Sequence, residues 1–447
     1  MSDLQVRWWA SERVFPDPSL VMPTQMRVRG SLDRARIETA AQAVAQRHEA
    51  LRTTFGRVDG WPAQVIRSAP HQPLTWFHDL SETPVAERTR ALTELLTAEQ
   101  SQRFDLARGP LMRLGIIRCS ADDHILALTL HHIIADGWAV GVVWRELSQA
   151  YENSVREAAD GAGPSWPQAP RLRDWVAAER RMLQGPVAAR EIAYWSRILR
   201  RVRPLHLPHD LPGDGTQPRR PRTRRFTFSQ ELVDALHASH RRFRATPYML
   251  TLTAFVQLLG QHTRRRDVAV MTLLNRRGDL DTAHLVGCVF NHATISVVIP
   301  ADRRPESLVG EVRGVLLDTY DHQEVNAHRI WRETGFPPGS VDVMFIFDEG
   351  THEEDGLLFD GVRAEPYAEA EENEPERPGP TTPAVKFRLE LNQGRLIGAI
   401  GYDGNLYSEA FIEGLLSEYS TLLGALVRGE TFEDHAPTDG RKCHPHG

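Results

Sequence analysis

Apolar residues in the first third of the chain follow two different periods, which predict a strand, a loop and a helix in succession. The nearly unbroken apolar run 124–130 ends at His131 and His132, as expected for a buried strand. Gly137 interrupts the extended pattern, and over 138–151 apolar residues return at helical spacing. The histidine pair therefore lies in a junction between two rigid elements, a suitable place for chemically active residues.

Helical and strand patterns alternate twice along the chain, which predicts a two-part α/β protein. In the first part, Asp33 can cap a helix over 33–48, and 111–119 forms a hairpin with the buried strand. In the second part, Thr246 and Pro247 have the residue types of a helix cap and a first helical position. The other predicted elements are a loop at 153–170, helices at 172–199 (broken near 185–186), 232–243 and 408–427, strands at 268–274, 294–299 and 341–347, and a hairpin at 387–402.

The predicted boundary between the two parts follows residue 175. Residues 1–175 carry the histidine pair, and residues 176–447 form the second part. Within the second part, residues 203–225 are rich in Pro, Gly and Arg and are predicted to be a crossover linker. Residues 348–385 are acidic and proline-rich and are predicted to be an exposed loop or a lid.

Composition and charge narrow the class of protein. The chain has 447 residues, 41% hydrophobic and 25% charged, as in a soluble globular protein. The net charge of −6 and the lack of base-reading motifs argue against a nucleic-acid partner. For the arginine-rich runs 219–225 and 264–266, a solvated surface is favoured over a phosphate-binding site. The N-terminus lacks a signal-peptide pattern, and no apolar run is long enough for a membrane span, so we expect a cytoplasmic protein.

The cysteines indicate neither a disulfide framework nor a metal site. Cys119, Cys288 and Cys443 are odd in number, widely separated and without the spacing of metal ligands. We therefore expect no bound metal.

The residues 131–137, with the pattern H-H-x-x-x-D-G, have the chemistry of a proton-transfer site. A histidine titrates near neutral pH and can take a proton from a nucleophile. Adjacent residues of an extended chain point in opposite directions, so only one of His131 and His132 can face a substrate. Asp136 can pair with a cation, and the Gly137 N–H can stabilise an oxyanion.

This group is accompanied by no Ser or Cys nucleophile in the sequence, and there is no G-x-S-x-G motif. The pattern therefore favours direct transfer from an activated acyl donor, without a covalent enzyme intermediate. The motif alone leaves a structural role open, because a histidine at a strand end is often a core or surface residue.

Further motifs follow one another in a fixed order, at 5–9, 47–55, 104–106, 109–111, 131–138, 172–175, 286–291 and 401–403. With these segments the chain resembles the condensation domains of nonribosomal peptide synthetases over most of its length. The resemblance implies an α/β fold of two chloramphenicol-acetyltransferase-like subdomains that form a V with a central tunnel.

The resemblance also implies roles for single residues. His132 would be the catalytic histidine, acting as general base or as a positioner of the tetrahedral intermediate, with Gly137 beside it, while His131 would face the protein. Asp136 would be structural and paired with an arginine of the second half, for which Arg277 aligns best and Arg276 is the rival.

Three more residues would lie where substrates pass through the tunnel, namely Trp138, Asn291 and His292. Two positions depart from the family pattern: Ala139 stands where Ser is frequent, and His292 stands where Thr is usual. The identity of the acceptor is therefore left open, and His292 is expected to be a core or rim residue.

By this resemblance, the chain would transfer an acyl group from a phosphopantetheine thioester on an acyl or peptidyl carrier protein. The acceptor would be an amine or an alcohol, free or carrier-bound, and the product an amide or an ester in natural-product biosynthesis. No adenylation signature and no carrier-type serine motif is found, so we expect a free-standing enzyme that meets its carrier in trans. No cofactor would be bound, because the carrier supplies the phosphopantetheine.

Three other functions are compatible with parts of the pattern. A coenzyme-A-dependent acyltransferase can use the H-x-x-x-D-G portion as it stands, although 47–54 favours the synthetase family. A non-catalytic recruitment module of the same fold tends to have lost the first histidine or the glycine, and both are intact here. An epimerase carries an additional Glu-Gly-His-Gly-type segment, which the sequence lacks.

Overall fold

The computed structural model describes residues 1–14, 20–70, 72–160, 168–213, 219–277, 280–337, 339–349, 357–359, 361–367, 383–392 and 394–432. The chain divides into two compact units. The first contains Met1–Met182, Arg277–Phe290 and Thr351–Glu374, and the second contains Leu183–Arg276, Asn291–Gly350 and Pro375–Gly447. Two segments late in the sequence therefore return to the first unit.

The helices in chain order are α1 Asp3–Glu12, α2 Arg34–Arg47, α3 Val85–Ser101, α4 Gly137–Asp160, α5 Leu172–Leu183, α6 Pro186–Leu199, α7 Gln230–Phe243, α8 Pro247–Thr263, α9 Leu280–Ala283, α10 Pro305–Asp321, α11 Ala327–Thr334 and α12 Glu409–Arg428. The strands are β1 Val21–Val28, β2 Thr53–Val58, β3 Trp61–Ile66, β4 Thr75–Asp79, β5 Met112–Ser120, β6 Asp123–His131, β7 Pro221–Thr227, β8 Asp267–Asn275, β9 Phe290–Val298, β10 Val343–Glu349, β11 Leu358–Phe359, β12 Val362–Pro366, β13 Val385–Asn392 and β14 Arg395–Asp403.

The first unit is built on a six-stranded sheet in the order β11-β12-β1-β6-β5-β4, in which β6 is antiparallel to both neighbours. Its side chains alternate between two covered faces, which explains the unbroken apolar run. Leu126, Leu128 and Leu130 share a core with residues of α2 and α4. Ile125 and Ala127 pack on the other face with residues of α3. The end of β6 is thereby held rigidly, and the histidine pair lies there.

The second unit has its own six-stranded sheet, in the order β7-β14-β13-β10-β8-β9. Aromatic rings join the sheet to its helices: the ring centroids of Phe255 in α8 and Phe387 in β13 are 5.0 Å apart, and Phe387 is 4.6 Å from Tyr419 in α12. The start of α8 follows the prediction, because the Thr246 side chain accepts from the Met249 N–H and Pro247 is the first helical residue.

Among the described helices, α12 alone has the length and composition of a membrane span. Its Tyr419 is fully buried, and the Tyr419 hydroxyl donates to the Thr251 carbonyl of α8. These contacts identify α12 as a core helix of the second unit.

The predicted α/β class with two similar halves is confirmed by the two mixed sheets, whereas three local predictions are wrong. The helix α4 does not end near Tyr151 but continues to Asp160. Within the predicted linker 203–225, β7 begins at Pro221 and pairs with β14. Within the predicted loop 348–385, β11 and β12 extend the first sheet, and most of the other residues of that segment lie outside those described.

Candidate active site

The loop after β6 is fixed by its own backbone and by the start of α4. The His132 N–H donates to the Leu20 carbonyl at 2.7 Å, and the Ile134 N–H donates to the His131 carbonyl at 3.0 Å. Asp136 precedes α4, and its Oδ1 accepts from the Ala139 N–H at 2.9 Å. Aspartate is among the strongest helix-capping residues, so the sequence ends the loop and starts the helix at one position.

The second carboxylate oxygen of Asp136 ties the loop to the returning segment Arg277–Phe290. Asp136 Oδ2 accepts from Arg277 Nη1 at 2.7 Å and from the Val289 N–H at 3.0 Å. Arg277 Nη2 also donates to the carbonyls of Leu285 and Gly287. The two charged side chains are only 5% and 3% exposed, so this is a buried and hydrogen-bonded ion pair.

The two adjacent histidines differ in burial and in bonding. His131 is buried, and its Nδ1 accepts from the Ile133 N–H at 3.0 Å. Burial, with a smaller effect of His132, lowers the pKa of His131 to about 3, so this ring stays neutral. His132 is partly exposed, and its Nδ1 lies 2.7 Å from the Ala135 carbonyl oxygen.

The bond to Ala135 defines the tautomer of His132. A carbonyl oxygen only accepts, so Nδ1 carries the proton and donates it. In the neutral imidazole, the lone pair is then on Nε2, the nitrogen suited to accept a proton.

Three side chains that the sequence analysis does not place at this site surround the His132 ring. The ring centroids of Trp8 and Phe290 lie 5.0 Å and 5.3 Å from that of the imidazole. Cys288 Sγ lies 4.0 Å from His132 Nδ1. The signal that could have found Cys288 and Phe290 is the motif at 286–291, although it does not show which side chains face the histidine.

The geometry does not make Cys288 an activated nucleophile. The side chain is buried, and burial, followed by the charge of Asp136, raises the pKa of the Cys288 thiol well above its usual value. The nitrogen beside it, His132 Nδ1, is the one that donates to Ala135 and has no lone pair to accept the thiol proton. Cys288 therefore packs against the imidazole as a neutral thiol.

The amino end of α4 begins at the exposed Gly137. The first N–H groups of a helix have no intrahelical acceptor and carry partial positive charge, so they can stabilise a developing oxyanion. A Cβ atom added at Gly137 would meet no atom within 4 Å among the described residues. The following side chain is anchored, because Trp138 Nε1 donates to the Ala283 carbonyl of α9 at 2.7 Å.

The other predicted site residues belong to the second unit. Arg276 forms an ion pair with Glu324 at 3.2 Å, so the two adjacent arginines have different partners. Asn291 is buried, and its side-chain amide donates to the carbonyls of Gln323 and Val325.

His292 is partly exposed in the second unit, with its ring 5.8 Å from that of His328. Within the described ranges, no group of three or more His, Cys, Asp or Glu side chains is arranged to hold a metal ion.

Comparison with known proteins identifies one family, and the chain spans only a small part of the length of the curated relatives it matches. The model of the family described as "Condensation domain" matches residues 1–431. One of the linear gramicidin synthase proteins of Brevibacillus parabrevis is 30% identical over 98% of this chain, which spans only 8% of that relative.

Solved structures show the same fold. The SgcC5 protein of Streptomyces globisporus superposes with a TM-score of 0.75 and 24% identity over 93% of this chain and 94% of its own. The first condensation domain of the calcium-dependent antibiotic synthetase gives a TM-score of 0.79 with 18% identity, covering 97% of both chains.

Proposed function

This chain belongs to the condensation-domain family, and we propose that it transfers an acyl group from a carrier-bound phosphopantetheine thioester to an amine or an alcohol. Members of this family are acyltransferases that form amide or ester bonds in nonribosomal peptide biosynthesis. The observation that supports this most is the 2.7 Å bond from His132 Nδ1 to the Ala135 carbonyl. It leaves Nε2 as the nitrogen that can accept a proton from the acceptor.

In the proposed step, the amine or hydroxyl of the acceptor attacks the thioester carbonyl carbon while His132 Nε2 takes its proton. The negative charge on the tetrahedral oxygen is stabilised by the N–H of Gly137 at the amino end of α4. When the intermediate collapses, the carbon–sulfur bond breaks and the imidazolium returns its proton to the leaving thiolate. The products are the amide or ester and the free phosphopantetheine thiol.

The Asp136–Arg277 pair has no part in proton transfer in this proposal. Both oxygens of the Asp136 carboxylate are occupied by donors, and the pair is buried, so we assign it the role of holding the loop. His131 would likewise support the backbone. Contact of Trp138, Asn291 and His292 with substrates stays a prediction.

The proposed partner is an acyl or peptidyl carrier protein, and the proposed compartment is the cytoplasm. Condensation domains act on carrier-bound phosphopantetheinyl thioesters, so the proposal includes no cofactor bound to the enzyme itself. The acceptor is described only by its chemistry, a nucleophilic amine or alcohol, since one histidine can serve either.

The test is reconstitution of the purified chain with an acyl-loaded carrier protein and a panel of amines and alcohols, with products identified by mass spectrometry. His132→Ala should lower the turnover about a hundredfold or more without changing the melting temperature. His78→Ala is the matched control, because His78 is an exposed histidine of the same unit. Near-normal product formation by His132→Ala would contradict the proposal, and equal rates with acyl-coenzyme A would favour the coenzyme-A acyltransferase instead.

A further inference from the structure

The His132 imidazole packs against two aromatic rings that come from distant parts of the sequence. The Trp8 indole, from α1, is tilted by 49° to the imidazole, and the Phe290 ring is tilted by 51°. The indole and phenyl centroids are 6.0 Å apart, so the three rings form one cluster. All three side chains are partly exposed and therefore lie where a substrate can approach.

Hydrogen bonds tie the two segments that carry these aromatic rings to the loop. The helix α1 starts with a reciprocal cap between Ser2 and Gln5, and Gln5 Nε2 donates to the Ile133 carbonyl at 3.0 Å. Trp8 is three residues after Gln5 and so lies on the same side of the helix.

Phe290 is fixed from the other direction. It follows Val289, whose N–H donates to Asp136. Trp8 is therefore three residues, and Phe290 one residue, from a residue that is hydrogen-bonded to the loop of His132. Both rings are thus in a position to restrict the orientation of the imidazole.

A cation within about 6 Å of the centroid of an aromatic ring can be attracted to its face, and the centroids of the Trp8 and Phe290 rings lie 5.0 Å and 5.3 Å from that of the imidazole. Two of the ionisable groups nearby, Asp136 and His131, contribute little net charge. Asp136 is neutralised by Arg277, and His131 is neutral because burial lowers its pKa to about 3.

Cys288 also lies near the imidazole, and Glu179 of α5 acts electrostatically on Cys288. The Cys288 thiol is uncharged at neutral pH. The Ala135 carbonyl accepts from Nδ1, and a hydrogen bond from a histidine to an acceptor generally stabilises the charged ring.

We propose that Trp8 and Phe290 are positioning residues that hold the plane of the His132 imidazole and stabilise its protonated form, and thereby set the pH range in which this histidine exchanges a proton. The consequence for turnover rests on the proposed function, whereas the titration of His132 does not.

The direct test is the titration of His132 by NMR in the substrate-free protein, with its signal assigned by comparison with His132→Gln. Trp8→Leu and Phe290→Leu retain apolar bulk but remove the aromatic face, so each should lower the titration midpoint by about half a pH unit. Trp8→Phe should restore most of the shift. Trp9→Phe is the control, because Trp9 is the neighbouring indole but is buried in the core, and it should leave the midpoint unchanged.

The pH dependence of kcat/KM is the second measurement. Its acid limb should move to lower pH in both leucine variants by the same amount as the titration midpoint. A midpoint that is unchanged or higher in both leucine variants, or equally low in Trp8→Phe, would overturn the inference. Absence of any condensation product while the midpoint moves as expected would contradict the proposed function and leave the inference standing.

Discussion

Replacing Asp136 by alanine should destabilise the first unit by about 4 kcal/mol. Removing one partner of a buried ion pair costs about 3–5 kcal/mol, because the other charge is left without its partner. The loss of the helix cap alone costs about 1 kcal/mol. Both effects come from one carboxylate and do not simply add. Since domains are typically stable by about 5–15 kcal/mol, a loss of this size should also reduce the soluble yield.

The assay is urea unfolding combined with hydrogen exchange of the α4 amides, since a chain of two units can unfold in more than one step. Asp136→Asn keeps an oxygen that can accept from the Ala139 N–H, so it should lose less stability than the alanine variant. Asp174→Ala is the control, because the Asp174 side chain is 64% exposed in its ion pair with Arg171, and such surface pairs contribute less than about 1 kcal/mol.

A double mutant tests whether the arginine is the reason for the loss. Arg277→Met in the Asp136→Ala background removes the buried charge that the single variant leaves behind, so the double variant should be no less stable than Asp136→Ala alone. A loss below about 1 kcal/mol for Asp136→Ala, or a double variant that loses the sum of both single effects, would refute the argument from the buried pair.

Substitutions at three other positions test the remaining parts of the site. Gly137→Ala should fold and keep turnover within about tenfold, since an added Cβ meets no described atom within 4 Å. Gly137→Pro should keep α4 but lower kcat about a hundredfold, because proline has no N–H to stabilise the oxyanion. Product formation measures the turnover, and circular dichroism measures the helix content. Cys288→Ser should retain most turnover, and a loss of several orders of magnitude would reveal a covalent role. Because the pKa of His131 is about 3 in the folded protein, its ring is protonated only in the unfolded chain between about pH 6.5 and 3. The free energy of unfolding should therefore fall as the pH decreases, by up to about 1.4 kcal/mol per pH unit. His131→Asn preserves an acceptor for the Ile133 N–H and should flatten that slope in urea titrations at pH 7 and pH 5.

Local patterns were sufficient for elements whose faces are clearly apolar or whose caps are distinctive. The run 124–130 and the pair Thr246-Pro247 are examples, since consecutive residues are enough to indicate a buried strand or the start of a helix. The sequence does not indicate β7, because it is an edge strand in which Arg222, Arg224 and Arg225 are all exposed, and its pairing with β14 depends on backbone hydrogen bonds. The short β11 and β12 were missed because pairing with β1 comes from a segment that is distant in sequence.

The sequence pattern does not determine which of two adjacent arginines pairs with Asp136. In sequence, Arg276 and Arg277 have the same charge and nearly the same neighbours. In the structure, Arg277 bonds to Asp136 and Arg276 to Glu324. Which of them turns to which carboxylate is decided by the path of the chain after β8, and this path is a tertiary property.

The register of residues 288–290 links the buried Asp136–Arg277 ion pair to His132. Cys288 and Phe290, two residues apart, both contact His132, whereas Val289 between them is buried in the core. The Val289 N–H is the group that donates to Asp136. A shift of this segment by one residue would therefore break that bond and replace the phenyl ring beside His132 by another side chain. Asp136 thus controls the surroundings of the imidazole through the backbone, so that the stability of the loop and the titration of His132 depend on the same carboxylate.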